Sequence, residues 1–357
     1  MIKILHSADW HLDSPIQGRT AEQTELLRSH LLSLPGKIAA ICRQEECDMM
    51  LLSGDLFDGE YSADSIRALK NALEEAAVPV FITPGNHDPQ SINSPWQKGP
   101  WPENVYIFKE NTVTGIDLPE LGCTVYGGSF TGPESTGMLE NFRADCNGIA
   151  IGILHGDPTQ LRSPYCPVTE QQVKESGLAY LALGHIHKGG QFRAGSTLCA
   201  WPGCPMGRGY DEQSEKGVLI ATIDGNNAST RFIPLDLPRF YDLEADTDMD
   251  ASAALGRLLP PAGSEDFYRI TLTGESEPLN LAHLQAQYSH FPNLTLRDET
   301  VPPTDLWART GDDTLEGVYF RMLRDALETA DEASARQILL AAKISNQILD
   351  GREVKLP

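Results

Sequence analysis

The chain has 357 residues, 41% of them hydrophobic and 22% charged, the balance of a soluble globular protein with room for one large domain and a smaller one. Its formal net charge of -22 argues against a general polyanion-binding surface, because neutralising phosphates takes Lys and Arg. No stretch approaches the roughly 20 apolar residues of a membrane span, so no membrane association is expected.

The run from Met1 to His6 lacks a small-residue cleavage site and reads as a first strand, Ile2 to Leu5, rather than a signal peptide. It leads into Asp9-x-His11. A helix over Ser33 to Glu46 precedes a strand, Met49 to Leu52, that ends in Gly54-Asp55-x-x-Asp58. The next helix covers Ala63 to Ala77. Ile66, Leu69, Leu73 and Ala76 recur there at helical spacing, and Ser62 or Asp64 can cap its start. The strand Val78 to Ile82 runs into Gly85-Asn86-His87-Asp88. Ile149 to Leu154 runs into His155-Gly156, and Tyr180 to Leu183 into Gly184-His185-x-His187. Such alternation predicts parallel strands with helices outside. Gly217 to Ile223 and Thr230 to Leu235 then flank Asp224-Gly225-Asn226-Asn227, a hairpin signal. Two packed sheets with outer helices fit both halves.

Pro234 to Pro238 marks a boundary that closes a domain over residues 1–238. Beyond it the chain turns acidic, with Asp242, Glu244, Asp246, Asp248 and Asp250 close together. Strands over Phe267 to Leu272 and Leu294 to Arg297, with a helix near Leu279 to Tyr288, suggest a small α/β capping module over 239–305. Thr300 to Asp312 reads as a polar linker. From Thr314 to about Leu349 the pattern is helical, and residues 306–357 form the C-terminal segment. Its apolar stripe runs through Leu315, Val318, Tyr319, Met322, Leu323 and Leu327. After a polar break it resumes at Ile338, Leu339, Ala342, Ile344 and Ile348.

The chemistry lies in the strand ends. Several carboxylates gathered in one cleft repel and take up protons, and two divalent cations would resolve that repulsion, as in a dinuclear metal hydrolase. Asp9 and His11 lie two apart, so they face one way if the chain stays extended. Gly54 allows a sharp turn that aims the Asp55 carboxylate inward, where its two oxygens can bridge two ions. His185 and His187 again sit two apart, while Asn86 and His155 add a neutral oxygen and an imidazole. This mixed N/O set suits Mn²⁺, Fe²⁺ or Zn²⁺. The seven cysteines are odd in number and scattered. Cys42/Cys47 and Cys199/Cys204 lack the spacing of zinc ribbons or redox dithiols, so free thiols in a cytoplasmic protein are expected. Five of the nine histidines fall inside the motifs. The other four, His6, His30, His283 and His290, read as structural residues.

The order and wording of the motifs resemble the calcineurin-like metallophosphoesterase superfamily across residues 2 to 225. The resemblance implies a four-layer αββα core. It implies that Asp9, His11, Asp55 and His187 hold one metal, and that Asp55, Asn86, His155 and His185 hold the other. His87, the histidine left out of both sets, can then protonate the leaving oxygen or stabilise the phosphate charge. The resemblance places Asp58 as its carboxylate partner. Leu5-His6-Ser7-Ala8-Asp9-Trp10-His11-Leu12, Ser53-Gly54-Asp55-Leu56-Phe57-Asp58 and Trp201 to Arg208 resemble, more narrowly, the bacterial DNA-repair exonuclease branch of SbcD-like and YhaO-like chains. Cys204 stands where that branch suggests Asn or Ser.

This narrower resemblance implies a nuclease subunit acting on DNA ends or single strands beside an SMC-like coiled-coil ATPase of the SbcC or YhaN type. The C-terminal stripe is a candidate docking helix or helical hairpin, and a homodimer is compatible. Trp10, Tyr61, Trp96 and Trp101 lie near the motif loops, where they either stack on unpaired bases or pack in the core. Two other functions share the same residues: a phosphodiesterase of small nucleotide-like phosphoesters, and a non-enzymatic metal-holding scaffold for an ATPase.

Overall fold

The computed structural model describes every residue except Gly18, Ser214, Asn226, Asp248, Met249, Thr304, Arg352, Glu353 and residues 355–357. Asn226 of the hairpin turn and Asp248 of the acidic run therefore lie outside the described residues. The chain divides into two compact units, Met1–Asp242 with Glu265–Tyr268, and Leu243–Ser264 with Arg269–Pro357.

The first unit opens with β1 (Ile2–Ser7), α1 (Ala21–Gln44), β2 (Met49–Leu52), α2 (Ala63–Ala76), β3 (Val80–Ile82) and β4 (Val105–Ile107). It continues through β5 (Thr114–Leu118), β6 (Cys123–Gly127), β7 (Ile149–His155), α3 (Glu170–Glu175) and β8 (Tyr180–Gly184). The strands β9 (Lys188–Ala194), β10 (Thr197–Gly203), β11 (Gly217–Asp224) and β12 (Asn227–Pro234) complete two six-stranded sheets. One sheet has the order β12-β11-β1-β2-β3-β4, the other β5-β6-β7-β8-β10-β9. β1 to β4 run parallel, with the β11–β12 hairpin added antiparallel beside β1. In the second sheet β6, β7, β8 and β10 run parallel, and β5 and β9 are antiparallel edges.

Strand alternation sorts these runs into layers. Met50, Leu52, Val80 and Ile82 join one apolar cluster with Leu34 and Ile38 of α1 and Leu69 and Leu73 of α2. Their neighbours Met49, Leu51 and Phe81 face the other way, into a second cluster with Ile151, Ile153, Tyr180 and Ala182 of the other sheet. Leu154, Leu181 and Leu183 turn outward again, onto Val173 of α3. The result is the αββα sandwich the alternation predicted. Strands buried on both faces need the continuous apolar runs seen at β2, β7 and β8.

The helix expected from Ser33 begins twelve residues earlier, at Ala21, and carries Pro35 within it. Proline suits a first helical turn, yet Pro35 stands inside a helix already under way. The earlier start is set by a capping box in which Thr20 accepts from the Gln23 N–H and Gln23 answers the Thr20 N–H. Ser62 caps α2 as expected.

The remaining elements are β13 (Phe240–Asp246), α4 (Ala251–Leu258), β14 (Phe267–Thr273), α5 (Leu281–Gln287), β15 (Leu294–Asp298), α6 (Leu315–Leu327) and α7 (Glu332–Leu349). β13, β14 and β15 form a three-stranded sheet in that order. The acidic run proves to be a strand. Asp242, Glu244 and Asp246 alternate with Leu243 and Ala245 and are all exposed, so the carboxylates occupy one solvated face. The polar break in the terminal stripe is a true helix end, and Asp331 caps α7 by accepting from the Ser334 N–H. No described helix is long and apolar enough to cross a membrane.

Candidate metal centre

The carboxyl ends of β1, β2 and β3 meet those of β7 and β8, and the loops that follow carry the motif residues. Asp9 (φ 55°), His11 (φ 48°), Asp55 (φ 51°) and His185 (φ 94°) all adopt left-handed backbone. Residues with a Cβ, Asn and Asp excepted, rarely sit there, and such conformations persist only where the surroundings fix them. Asp9 and His11 are therefore not aligned by continued extension, as the two-residue spacing suggested. β1 ends at Ser7 and successive left-handed turns aim both side chains. Backbone bonds from Asp9 N to the Gly54 carbonyl and from His11 N to the Asp55 carbonyl, each 3.0 Å, lock the two loops together.

The expected donors converge. Ligand-type atoms of Asp9, His11 and His187 lie within 4.8 Å of one another, as do those of Asp9, Asp55 and His155. Nε2 of His11 and His187 face each other at 3.1 Å, and His155 Nε2 is 3.2 Å from Asp55 and 3.0 Å from Asn86 Oδ1. The His185 ring lies 5.3 Å from that of His155, and its backbone N–H donates to Asp9 at 2.9 Å. Two ring orientations are set from behind. His155 Nδ1–H donates to the Ser53 carbonyl at 2.9 Å, and His187 Nδ1–H donates to Glu212 at 2.6 Å. Each ring thus turns its Nε2 edge to the cluster, the edge that a divalent ion would take in place of a proton.

Close packing excludes side chains at the glycines. A Cβ at Gly54 (φ 89°) would lie 2.5 Å from His155 Nδ1, one at Gly85 2.2 Å from Asp55 Oδ1, and one at Gly184 2.0 Å from the Ser53 carbonyl. Asp88 is buried and ties the second loop to the third, accepting from Gly85 N at 2.7 Å and Leu56 N at 2.9 Å. Burial and the nearby Asp55 charge push its carboxyl up to about 7.

The electrostatics suit cations. Burial works to lower the His155 pKa, but the Asp55 charge and hydrogen bond overcome it and raise it to about 9. The field that draws a proton onto a buried imidazole would equally draw a divalent ion onto its lone pair. Carboxylate oxygens, an amide oxygen and imidazole nitrogens, with no Lys or Arg among them, make a donor set that fits divalent cations.

Beside the cluster, His87 Nδ1 lies 2.5 Å from Asp58 Oδ1. This hydrogen bond raises the His87 pKa and, after the larger contribution from His11, helps hold the Asp58 carboxyl well below the usual range. His87 is half-exposed while Asp58 is largely covered, so the ring can reach solvent while its partner stays fixed.

The structure decides between the two readings of the aromatic residues and keeps His6 as the structural residue expected. Trp10 and Trp96 are core residues, and Trp101 stacks on Trp96 at 5.3 Å rather than lying open to bases. Tyr61 packs edge-on against Phe57. His6 is a satisfied core residue, bonded to Tyr180 and Ser53. Cys204 has its sulfur within 4.8 Å of His187 and Glu212 donor atoms, yet Lys216 Nζ engages it at 3.0 Å and burial pushes the thiol up to about 12. Sequence reasoning passed over Glu212 and the role of Arg208. Nothing local separates Glu212 from neighbouring Asp211, and only the fold brings it behind His187.

The model of the calcineurin-like phosphoesterase family matches residues 2–189. The chain is 30% identical over 260 residues to the metallophosphoesterase YhaO of Bacillus subtilis, covering 65% of this chain and 60% of that protein. It is 24% identical over 273 residues to the SbcD subunit of the SbcCD nuclease of Staphylococcus epidermidis, covering 66% and 70%. To the SbcD subunit of Bacillus subtilis it is 23% identical over 260 residues, covering 59% and 63%. With a family match that spans β1 to β8 and the converging donors at its strand ends, the chain belongs to the calcineurin-like phosphoesterases.

Proposed function

We propose that this phosphoesterase cleaves phosphodiester bonds in DNA, as a metal-dependent exo- or endonuclease subunit in repair. The observation that carries the reading is the His87–Asp58 pair, 2.5 Å apart, which joins the other donors through His11, the third member of its own close group. In this reading Asp9, His11, Asp55 and His187 hold one divalent ion, Asp55, Asn86, His155 and His185 hold the other, and Mn²⁺ is the first candidate. When bound, such ions neutralise phosphoryl oxygens and make water a competent nucleophile near neutral pH.

The chain's own groups do the rest. Asp58 accepts the Nδ1 proton of His87 and keeps the ring in the tautomer whose Nε2 can carry a second proton. His87 Nε2 then gives that proton to the departing oxygen. The Ser53 carbonyl and Glu212 keep His155 and His187 turned inward, and left-handed backbone at Asp9, His11 and Asp55 holds the loops in the arrangement described.

DNA as substrate, and an SMC-like coiled-coil ATPase as partner, draw support from the two relatives that are nuclease subunits. The net charge of -22 favours a partner that supplies cationic surface. Exposed Leu315, Met322 and Ile348 on α6 and α7 make residues 306–357 the segment for that partner, with 239–305 as a capping module. The same acidity favours a second reading, hydrolysis of small nucleotide-like esters. The His87–Asp58 pair disfavours a scaffold without catalysis.

The test is degradation of end-labelled single- and double-stranded DNA by the purified chain with Mn²⁺, with and without chelator, beside hydrolysis of bis(4-nitrophenyl) phosphate. Chelator-sensitive cleavage of both supports the nuclease. Cleavage of the aryl ester alone, even with the ATPase added, would leave the small-ester reading, and cleavage of neither would leave the scaffold.

A further inference from the structure

Two carboxylates back the site at histidine Nδ1 edges: Glu212 at 2.6 Å from His187, and Asp58 at 2.5 Å from His87 and 3.6 Å from His11. A single guanidinium stands between them. Arg208 Nη2 donates to Glu212 Oε1 at 3.3 Å, and its Nη1 lies 3.6 Å from Asp58 Oδ2. The Arg208 backbone N–H also donates to Glu212 Oε2 at 2.8 Å, so both Glu212 oxygens are held by one residue. Among the described residues Arg208 is the only Lys or Arg within 4.0 Å of either carboxylate. Its side chain is 23% exposed, and its buried Nε has no hydrogen-bond partner.

An imidazole is oriented only as firmly as the group that receives its Nδ1 proton. A carboxylate with one such bond can still rotate; the charge-assisted hydrogen bond that Arg208 gives Glu212 removes that freedom, and its ion pair with Asp58 at 3.6 Å restrains that carboxylate by charge. A planar guanidinium offers donors in several directions at fixed angles, whereas an ammonium is a point charge. We propose that Arg208 is a positioning residue shared by both parts of the site. It fixes Asp58 behind His87 and Glu212 behind His187, so one side chain aligns the proton donor with a candidate metal ligand. This rests on the phosphodiesterase reading. It also gives a structural role to a residue of the Trp201 to Arg208 segment, which holds none of the expected donors.

The experiment uses the full chain with Arg208→Ala and Arg208→Lys. Each is assayed on bis(4-nitrophenyl) phosphate with Mn²⁺ and titrated with Mn²⁺ by calorimetry. Loss of a supporting contact of this type predicts that kcat and Mn²⁺ affinity each fall about 10–100-fold in Arg208→Ala, with KM within about two-fold of wild type. Added guanidinium should restore part of kcat in Arg208→Ala, and Arg208→Lys should recover less, because it cannot engage both carboxylates. A raised KM with kcat and Mn²⁺ affinity intact would make Arg208 a substrate contact and overturn the assignment, as would no change in any of the three. If Arg208→Ala does not fold by circular dichroism, Arg208→Lys, which keeps the stem and charge, is judged by the same criteria. A wild-type chain that binds Mn²⁺ but hydrolyses no phosphodiester would remove the proposed function. The Mn²⁺ titration of the variants would still decide the role of Arg208.

Discussion

The Glu212 carboxylate accepts a hydrogen bond from His187 Nδ1 at 2.6 Å across 25 residues of sequence. Burial alone would raise its carboxyl pKa, but the His187 bond and the Arg208 charge prevail and lower it, so the group stays anionic. Replacing it with Gln keeps the shape and removes the charge. Glu212→Gln should weaken binding of one Mn²⁺ about 10–100-fold, the usual cost of losing a partner behind a metal-binding histidine. Calorimetry reads this directly, and an unchanged isotherm would show that His187 needs no such support.

His87 stands apart from the proposed ligand sets. His87→Ala should therefore bind its full complement of Mn²⁺ by elemental analysis while kcat falls about 10²–10⁴-fold, the range for removing a general acid. Asp58→Asn should follow the same pattern with a smaller loss. Reduced metal content in His87→Ala would move the residue into the ligand set instead.

Gly85 lies where a Cβ would come within 2.2 Å of Asp55 Oδ1 and 2.8 Å of the Asp55 backbone nitrogen. Neither backbone nor a carboxylate so confined can give way cheaply. Gly85→Ala should yield a folded chain that has lost high-affinity Mn²⁺ binding. Gly36, inside α1 with nothing within 4 Å of the methyl that Ala would add, is the control. Gly36→Ala should retain Mn²⁺ binding and gain about 0.5–1 kcal/mol in urea unfolding.

His6 provides a pH test away from the donors. Its Nε2 lies 3.1 Å from the Leu183 carbonyl, which can only accept, so that nitrogen carries the proton and Tyr180 donates to Nδ1 at 2.8 Å. Burial lowers the pKa from 6.5 to about 3. The folded value lies below the unfolded one, so as pH falls the unfolded chain takes up the proton first. The stability of the neutral ring is complete above pH 6.5 and is lost progressively between 6.5 and about 3. Between about pH 7.5 and 5.5 the wild type should lose roughly 1.4 kcal/mol more than His6→Gln in urea unfolding. Equal losses in the two proteins would mean that His6 is protonated in the folded state.

Strand alternation and apolar runs were enough to read the layered α/β core, because burial on both faces leaves a mark every second residue. Met49 to Leu52 illustrates it, with successive side chains assigned to opposite cores. Asp9, His11, Asp55, Asn86, His155, His185 and His187 stand at or just past strand ends, and Asp55, Asn86, His155 and His185 each adjoin a glycine, the local pattern that marks them as candidate donors. Other features depended on long-range contact and left no local trace. Glu212 and Arg208 matter only because a loop after β10 folds back behind His187 and Asp58. Trp10 and Trp96 carry the same side chain whether they face solvent or core, and packing alone decided between the two. Even the aim of Asp9 and His11 came from the tertiary structure, since left-handed backbone is held there by bonds to the Gly54 and Asp55 carbonyls, a constraint that lies outside their own segment.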